Sequence, residues 1–340
     1  MRSLGAMFDP RRNALNFVRL TLAVTVIGWH SFPLTGHDIE YAPLRQLVGE
    51  IGVDGFFAIS GFLIVASWVR DPNWARYLRA RALRILPAFW VCLLVTAFVI
   101  APLAAGVLGG ENVTYVLYNA GLRIFQEDIA GTPLGVPYEG VWNGSLWTLW
   151  WEFLCYLGVM GLGLVGILRW RWTTTILFGV ALAVGVATTA GVVDNWYAAQ
   201  GSRFGLMFLA GAMVWQWKDR IPVNAWTLTV AGAVLIASLL TPNYRLLAAL
   251  PVAYLVMVAG ASIKTPRLAL RNDVSYGVYI YAFPAQQVVA YSGVDEVALM
   301  AVAATLLTFP LAIASWFLVE KPAMRLKAKR PEPASPVAAF

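Results

Sequence analysis

The sequence predicts an all-α integral membrane protein, a bundle of about ten transmembrane helices with both termini cytoplasmic. Three observations carry this expectation. The chain of 340 residues is 59% apolar and only 13% charged, with a mean hydropathy of +0.67, whereas soluble domains carry about 25% charged residues. Apolar runs of roughly bilayer-crossing length recur about ten times, near 15–34, 51–68, 86–105, 146–168, 173–193, 203–217, 224–240, 246–262, 275–292 and 297–318. The charges between them alternate in sign. With the N-terminus inside, the inner segments 1–14, 69–85, 169–172, 218–223, 263–274 and 319–340 hold 20 of the 25 Lys and Arg, leaving Arg19, Arg45, Arg123, Arg203 and Arg245. The outer loops collect most of the acids, among them Asp38, Glu40, Glu50, Glu111, Glu127, Asp128, Glu139, Asp194, Asp295 and Glu296. This is the positive-inside asymmetry, and moving the count by one span destroys it.

The same pattern organises the chain. Residues 1–14 are a short cytoplasmic segment, 15–325 a single transmembrane domain, and the Pro- and Ala-rich stretch 326–340 a disordered cytoplasmic tail. The first apolar run contains Arg19 and no small-residue cleavage site follows it, so it is a span rather than a signal peptide. The longest outer segment, roughly 106–145, is rich in Gly and aromatics and is the expected cap over a site. The net charge of +7 is topological and requires no nucleic-acid partner. Cys92 and Cys155 fall inside apolar spans and read as packing residues. With two histidines and no Cys/His cluster, no metal site is expected.

Ionisable residues within spans are costly and point to function. In FVRLTLAVTVIGWHSFP (17–33), Arg19 and His30 lie eleven residues apart. An α-helix turns through about 1100° and rises about 16 Å over that interval, so the two share a face yet stand far apart. Asp54 on the second span and Glu152 on the fourth enter from outside and reach about the depth of His30. Each has an ordinary structural reading. A lone histidine is often a hydrogen-bonded packing residue, Arg19 can snorkel to the headgroups, and Asp54 complements a helix start. Glu152, among Trp147, Trp150, Trp151 and Phe153, has the weakest such excuse, and His30 is its expected partner.

The inner loop RDPNWARYLRARALRILP (70–87) carries Arg76, Arg79, Arg81 and Arg84 after Asp71, with no further acid to pair them. Arg81 and Arg84 share a helix face. A positive-inside anchor explains them; so does a polyphosphate, which planar guanidinium groups grip bidentately. Ser60 is a poor nucleophile candidate, without a G-x-S-x-G elbow or a histidine nearby in sequence, and reads as a small packing residue.

In order along the chain, these segments resemble membrane acyltransferase family three, which includes bacterial O-antigen and exopolysaccharide O-acetylases. The resemblance covers about 15–325. It rests on the Arg19-x10-His30 pair, GVDGFFAISGFLI (52–64), RALRILPAFW (81–90), SLWTLWWEFLCY (145–156), SYGVYIYAFP (275–284) and VEKPAMRL (319–326). Trp150 stands where members often have Pro, and Ala282 where many have a histidine; the first-span pair is untouched. The resemblance implies an acyl donor of the coenzyme A type and a hydroxyl acceptor, usually a sugar. It also implies importance for Arg19, His30, Arg81 and Arg84.

The expected enzyme is therefore an O-acyltransferase that uses acyl-CoA, in the first instance acetyl-CoA, as cosubstrate and holds no permanent cofactor. Arg19, Arg76, Arg79, Arg81 and Arg84 bind the donor. His30 acts as general base with Glu152 orienting it. Asp54, Asn143, Ser145 and Trp147 form the substrate side, the last three as alternative oxyanion donors. Direct transfer and an acyl-histidine intermediate both remain open. The expected setting is the cell's inner or plasma membrane, with a carbohydrate acceptor and the lipid bilayer as further partners. Alternatives are an acyltransferase acting on a small glycoside such as an antibiotic sugar, a proton-coupled transporter, and a lipid-binding scaffold.

Overall fold

The computed structural model describes residues 2–263, 265 and 267–327. The expected tail, 326–340, lies outside them except for Leu326 and Lys327. Ten principal helices follow the ten apolar runs: α1 (Leu15–Ser31), α2 (Ile51–Arg70), α3 (Trp74–Val95), α4 (Thr148–Leu164), α5 (Thr173–Thr189), α6 (Trp196–Trp217), α7 (Ala225–Ser238), α8 (Arg245–Ser262), α9 (Ser275–Tyr291) and α10 (Val297–Ser315). Among the described residues, five helical stretches are long and apolar enough to cross a membrane: Leu15–Thr35, Ile51–Arg70, Trp74–Ala105, Arg245–Ser262 and Val297–Arg325. Others, such as α4, α5 and α7, are apolar but shorter.

Two helices contain a wide turn. Beyond Pro87, α3 passes through a π turn at Thr96–Ile100 into Ala101–Ala105. Beyond Pro310, α10 passes through a second at Trp316–Glu320 into Lys321–Arg325. Such turns hold an extra residue and are frequent at functional sites.

Glycines set the closest helix contacts. A Cβ on Gly61 of α2 would lie 1.8 Å from the Phe208 carbonyl oxygen, and one on Gly211 of α6 would lie 1.8 Å from that of Ala58. Without a hydrophobic drive between helices in lipid, this backbone approach supplies the packing. On its other side α2 sets Gly52 and Gly55 against Leu22, Thr25 and Val26 of α1. The far face of α1 meets α9, where the Gln286 amide donates to the Ile27 carbonyl (2.9 Å) and the Ser31 hydroxyl (3.0 Å).

One end of the bundle gathers the basic connections. There Arg2–Ser3 pairs antiparallel with Pro222–Val223, the Leu4 N–H donates to the Ile221 carbonyl (2.9 Å), and the Ala14 N–H donates to that of Gly260 (2.8 Å). The Trp316 indole reaches Asn272 at 3.0 Å, and the Gln216 amide reaches the Leu168 carbonyl at 3.2 Å. The opposite end is covered by residues 106–147, which include a helix at Gly110–Asn119. This segment docks on α9: the Gln287 amide donates to the Tyr138 and Val141 carbonyls, both at 2.8 Å, and Trp142 stacks on Tyr291.

Beside that covered end, Asp54 is fully buried. It accepts from Arg245 Nε at 2.5 Å and from the Tyr244 hydroxyl, and it faces Arg203 at 3.7 Å. Arg245 also pairs with Glu50. Asp54, expected on the substrate side, thus has its carboxylate faced by two arginines and a tyrosine.

Candidate active site

A cavity of about 720 Å³ lies between α1, α2, α3, α4 and α9, within the volume range of small-molecule sites. On α2 its lining recurs at Val53, Phe56, Phe57, Ser60, Leu63, Ile64, Ser67 and Arg70, the stripe expected of one helical face. That stripe rises about 25 Å. At the basic end the mouth is rimmed by Arg11, Arg70, Arg271 and Lys327, all exposed, with Arg19, Arg81 and Arg84 further in. The acids lining the cavity are Asp273 and Glu152, so cations prevail there.

Two of these arginines are held by carboxylates distant in sequence. Arg19 Nη1 lies 3.1 Å from Asp273 Oδ2, Arg84 Nη2 lies 2.6 Å from the same oxygen, and Arg84 Nη1 lies 3.0 Å from Glu320. Glu320 occupies the π turn that ends α10. The Arg84 guanidinium also lies over the rings of Tyr276 (5.7 Å) and Trp316 (5.6 Å). Burial alone would raise the Asp273 carboxyl, but Arg84, Arg19 and hydrogen bonds from Ser275 outweigh it and hold it below the usual carboxylate range. Arg81 differs: its buried Nε has no hydrogen-bond partner. At the rim, desolvation and then the charges of Arg81 and Arg84 bring the Lys327 ammonium down to about 8.

Arg76 and Arg79 stand elsewhere. Arg76 forms a fork with Asp71 (3.0 and 2.7 Å), Arg79 is exposed, and neither lines the cavity. The expectation that this loop lacks acids for its arginines is corrected twice, by Asp71 for Arg76 and by Asp273 with Glu320 for Arg84.

Midway along the cavity, Glu152 Oε1 accepts from the Ser60 hydroxyl at 2.7 Å and the Tyr156 hydroxyl at 2.5 Å. The expected Glu152–His30 pair is not formed. Ser60 is likewise not the packing residue of this helix; Gly61 is, which leaves the Ser60 hydroxyl facing the carboxylate. Deeper still, the Tyr279 hydroxyl donates to the Ser145 carbonyl (3.0 Å) and lies 2.5 Å from the Thr148 hydroxyl.

The deep end is closed by aromatic rings. Phe56 meets Tyr279 edge-on at 5.8 Å, and one turn further along α9 Phe283 meets His30 edge-on at 5.1 Å. Phe283 also meets Tyr138 of the covering segment at 5.7 Å. His30 therefore stands beyond this layer and does not line the cavity. Its Nδ1 is buried without a hydrogen bond of ordinary geometry, the Val26 carbonyl one turn earlier being a weak neighbour. Arg19 and His30 nevertheless face the same helix, the first through Asp273 at its start and the second through Phe283.

The remaining expected residues separate. The Asn143 amide donates to the Ile280 carbonyl at 2.8 Å and braces the covering segment on α9. Trp147 packs on Trp196 and Phe204 and does not line the cavity. Ser145 adjoins the deep end through Tyr279, with its own hydroxyl buried and without a partner. Sequence reasoning missed Asp273, Glu320, Tyr279 and Phe283. Glu320, Tyr279 and Phe283 lie within the quoted segments but were given no role, and Asp273 shows as an acid in an otherwise basic inner segment.

Comparison with known proteins fits this arrangement. The family model described as an acyltransferase domain, that of family three, matches residues 12–317. The O-acetyl transferase of Shigella phage Sf6 is 28% identical over 327 residues, covering 92% of this chain and 96% of that protein. Nodulation protein 10 of Rhizobium leguminosarum bv. viciae is 28% identical over 360 aligned positions, covering 93% and 94%. Exopolysaccharide production protein ExoZ of Rhizobium meliloti (strain 1021) is 27% identical over 317 residues, covering 87% and 94%. No solved structure matches the chain. With nine-tenths of its length inside one family model and long apolar helices throughout, the chain belongs to acyltransferase family three, and the protein is a membrane acyltransferase.

Proposed function

We propose that the protein spans the inner or plasma membrane ten times, with both termini cytoplasmic, and moves a short acyl group, acetyl, from cytoplasmic acyl-CoA to a hydroxyl of an extracytoplasmic sugar or glycan. The observation that carries this reading is the cavity, whose cationic mouth leads past Arg19 and along α2 from Arg70 to Val53, ending at Tyr279 of α9. Coenzyme A has the same polarity, with phosphates at one end and a thioester at the other. Relatives named for O-acetyl transfer and exopolysaccharide production support the acetyl group and the sugar hydroxyl.

In this mechanism Arg81 takes the phosphates with Arg11, Arg70, Arg271 and Lys327, none of which pairs with a carboxylate among the described residues. Arg19 and Arg84, anchored by Asp273, frame the neck. Glu152 accepts an amide N–H of the pantetheine arm. The acceptor arrives from the opposite side beneath residues 106–147, after the rings of Phe56 and Phe283 turn away from the anchored Tyr279. His30 takes the acceptor proton as its oxygen adds to the thioester carbonyl. The C–S bond then breaks, and the thiolate recovers the proton from the imidazolium as it leaves. The Ser145 hydroxyl, buried without a partner beside Tyr279, donates to the oxyanion. A general base contributes about 10²–10⁴ in rate.

The test uses the full chain purified in detergent, with acetyl-CoA and a sugar acceptor. His30→Ala should cut acceptor-dependent thiol release by about a hundredfold or more. Equal release from both proteins removes His30 as the base.

A further inference from the structure

We infer that the blind end of the cavity sets the length of the acyl group, with Phe56 as the length-determining residue. The donor is thereby limited to acetyl and its nearest homologues. This rests on reading the cavity as the acyl-CoA site.

The deep end is walled toward α9, α1, α4 and α6. Above, Phe56 lies edge-on to Tyr279 at 5.8 Å, and Tyr279 is fixed by its bonds to the Ser145 carbonyl and the Thr148 hydroxyl. Toward α1 there is no side pocket, because Gly52 and Gly55 already bring the two helices into contact at Leu22, Thr25 and Val26. Toward α4 and α6 the wall is a block of rings. Phe57 stacks on Phe204 at 4.5 Å, and Trp147 and Trp151 pack on Phe204 at 5.5 and 5.9 Å.

A longer acyl chain in a donor whose phosphates stay at the mouth must therefore push into this ceiling. Forcing extra methylenes into a packed wall displaces side chains. Among the ceiling residues, Phe56 lines the cavity without a hydrogen bond to hold it, so its removal opens space while Tyr279 keeps its anchors. Selection acts when the donor docks against the closed layer, before the rings part for transfer.

The experiment compares the wild type and Phe56→Ala as full chains in detergent. Binding is measured with thioether analogues of acetyl-, butyryl-, hexanoyl- and octanoyl-CoA, which cannot transfer, and thiol release with the matching thioesters. Wild-type affinity should fall at least tenfold between acetyl and hexanoyl. Phe56→Ala should raise the hexanoyl-to-acetyl ratio of affinities about tenfold, with the change in thiol release lying in KM. Phe56→Leu, a milder variant, should shift the ratio in the same direction by less. Length-independent binding by the wild type, or an unchanged ratio in both variants, overturns the ceiling whatever the turnover. Length-dependent binding with no thiol release from any thioester keeps the ceiling and fails the transfer reading instead.

Discussion

Glu50, Asp54, Arg203 and Arg245 form one charge network near the covered end of the bundle; Arg19, Asp273, Arg84 and Glu320 form another at the basic end. Each joins two acids to two arginines. None of the first network's members lines the 720 Å³ cavity, and its own unsatisfied atoms, Asp54 Oδ1 and Arg203 Nε, lie 3.7 Å from each other. Three members of the second do, and Arg81 stands beside them with a buried, unsatisfied Nε. Equal charge balance thus serves two ends. The set away from the cavity fixes helices to one another, whereas the set on the cavity wall, with spare cations beside it, is prepared for an anionic ligand.

The largest expected effect breaks the network away from the cavity. Asp54→Ala leaves Arg203 and Arg245 without their buried carboxylate and should cost about 3–5 kcal/mol of stability, read as a lower thermal midpoint in detergent. The fraction that remains folded should bind acetyl-CoA with wild-type affinity. A donor affinity that collapses in that folded fraction would erase the contrast between the two ends. Next comes Arg81→Gln, which removes a cation without orphaning an acid. Donor binding should weaken about tenfold or more, as for loss of hydrogen bonds to a charged group, while the thermal midpoint stays put. An unchanged Kd would move the phosphate site away from Arg81.

The smallest effect concerns pH. Lys327 is charged below its value of about 8 and neutral above it, so its help to an anionic donor is present at neutral pH and lost on going alkaline. Donor affinity should drop roughly twofold to fivefold from about pH 7 to about pH 9, the scale of an exposed charge pair. Lys327→Met should flatten that profile, and a slope that persists in the variant would assign it to another group.

The helices were legible because bilayer-length apolar runs are a one-dimensional signal. The boundary that moved most is the start of α3, Trp74 rather than 86, where the Asn73 side chain accepts the Arg76 N–H at 2.9 Å and caps twelve arginine-bearing residues that hydropathy does not mark. The common face of Arg19 and His30 was legible too, since helix geometry fixes it. Partners were not. Equal depth led to Glu152 being paired with His30, but depth leaves rotation about the helix axis open, and α4 aims Glu152 at Ser60. Asp273 and Glu320 approach Arg84 only through the tertiary fold. One missed signal was present in the charge count: Arg203 and Arg245, two of the five cations that disobeyed the inside rule, are the partners of Asp54.

The wide turn at Trp316–Glu320 makes this stretch of the chain sensitive to length as well as to chemistry. The turn takes up one extra residue while the helix on either side keeps its facing. Deleting one residue there would let the turn close to ordinary spacing, disturbing Glu320, which sits inside it, and its bond to Arg84, while Met324 and Lys327 keep to the cavity wall. Related chains that keep this acid and its arginine should therefore keep the wide turn as well.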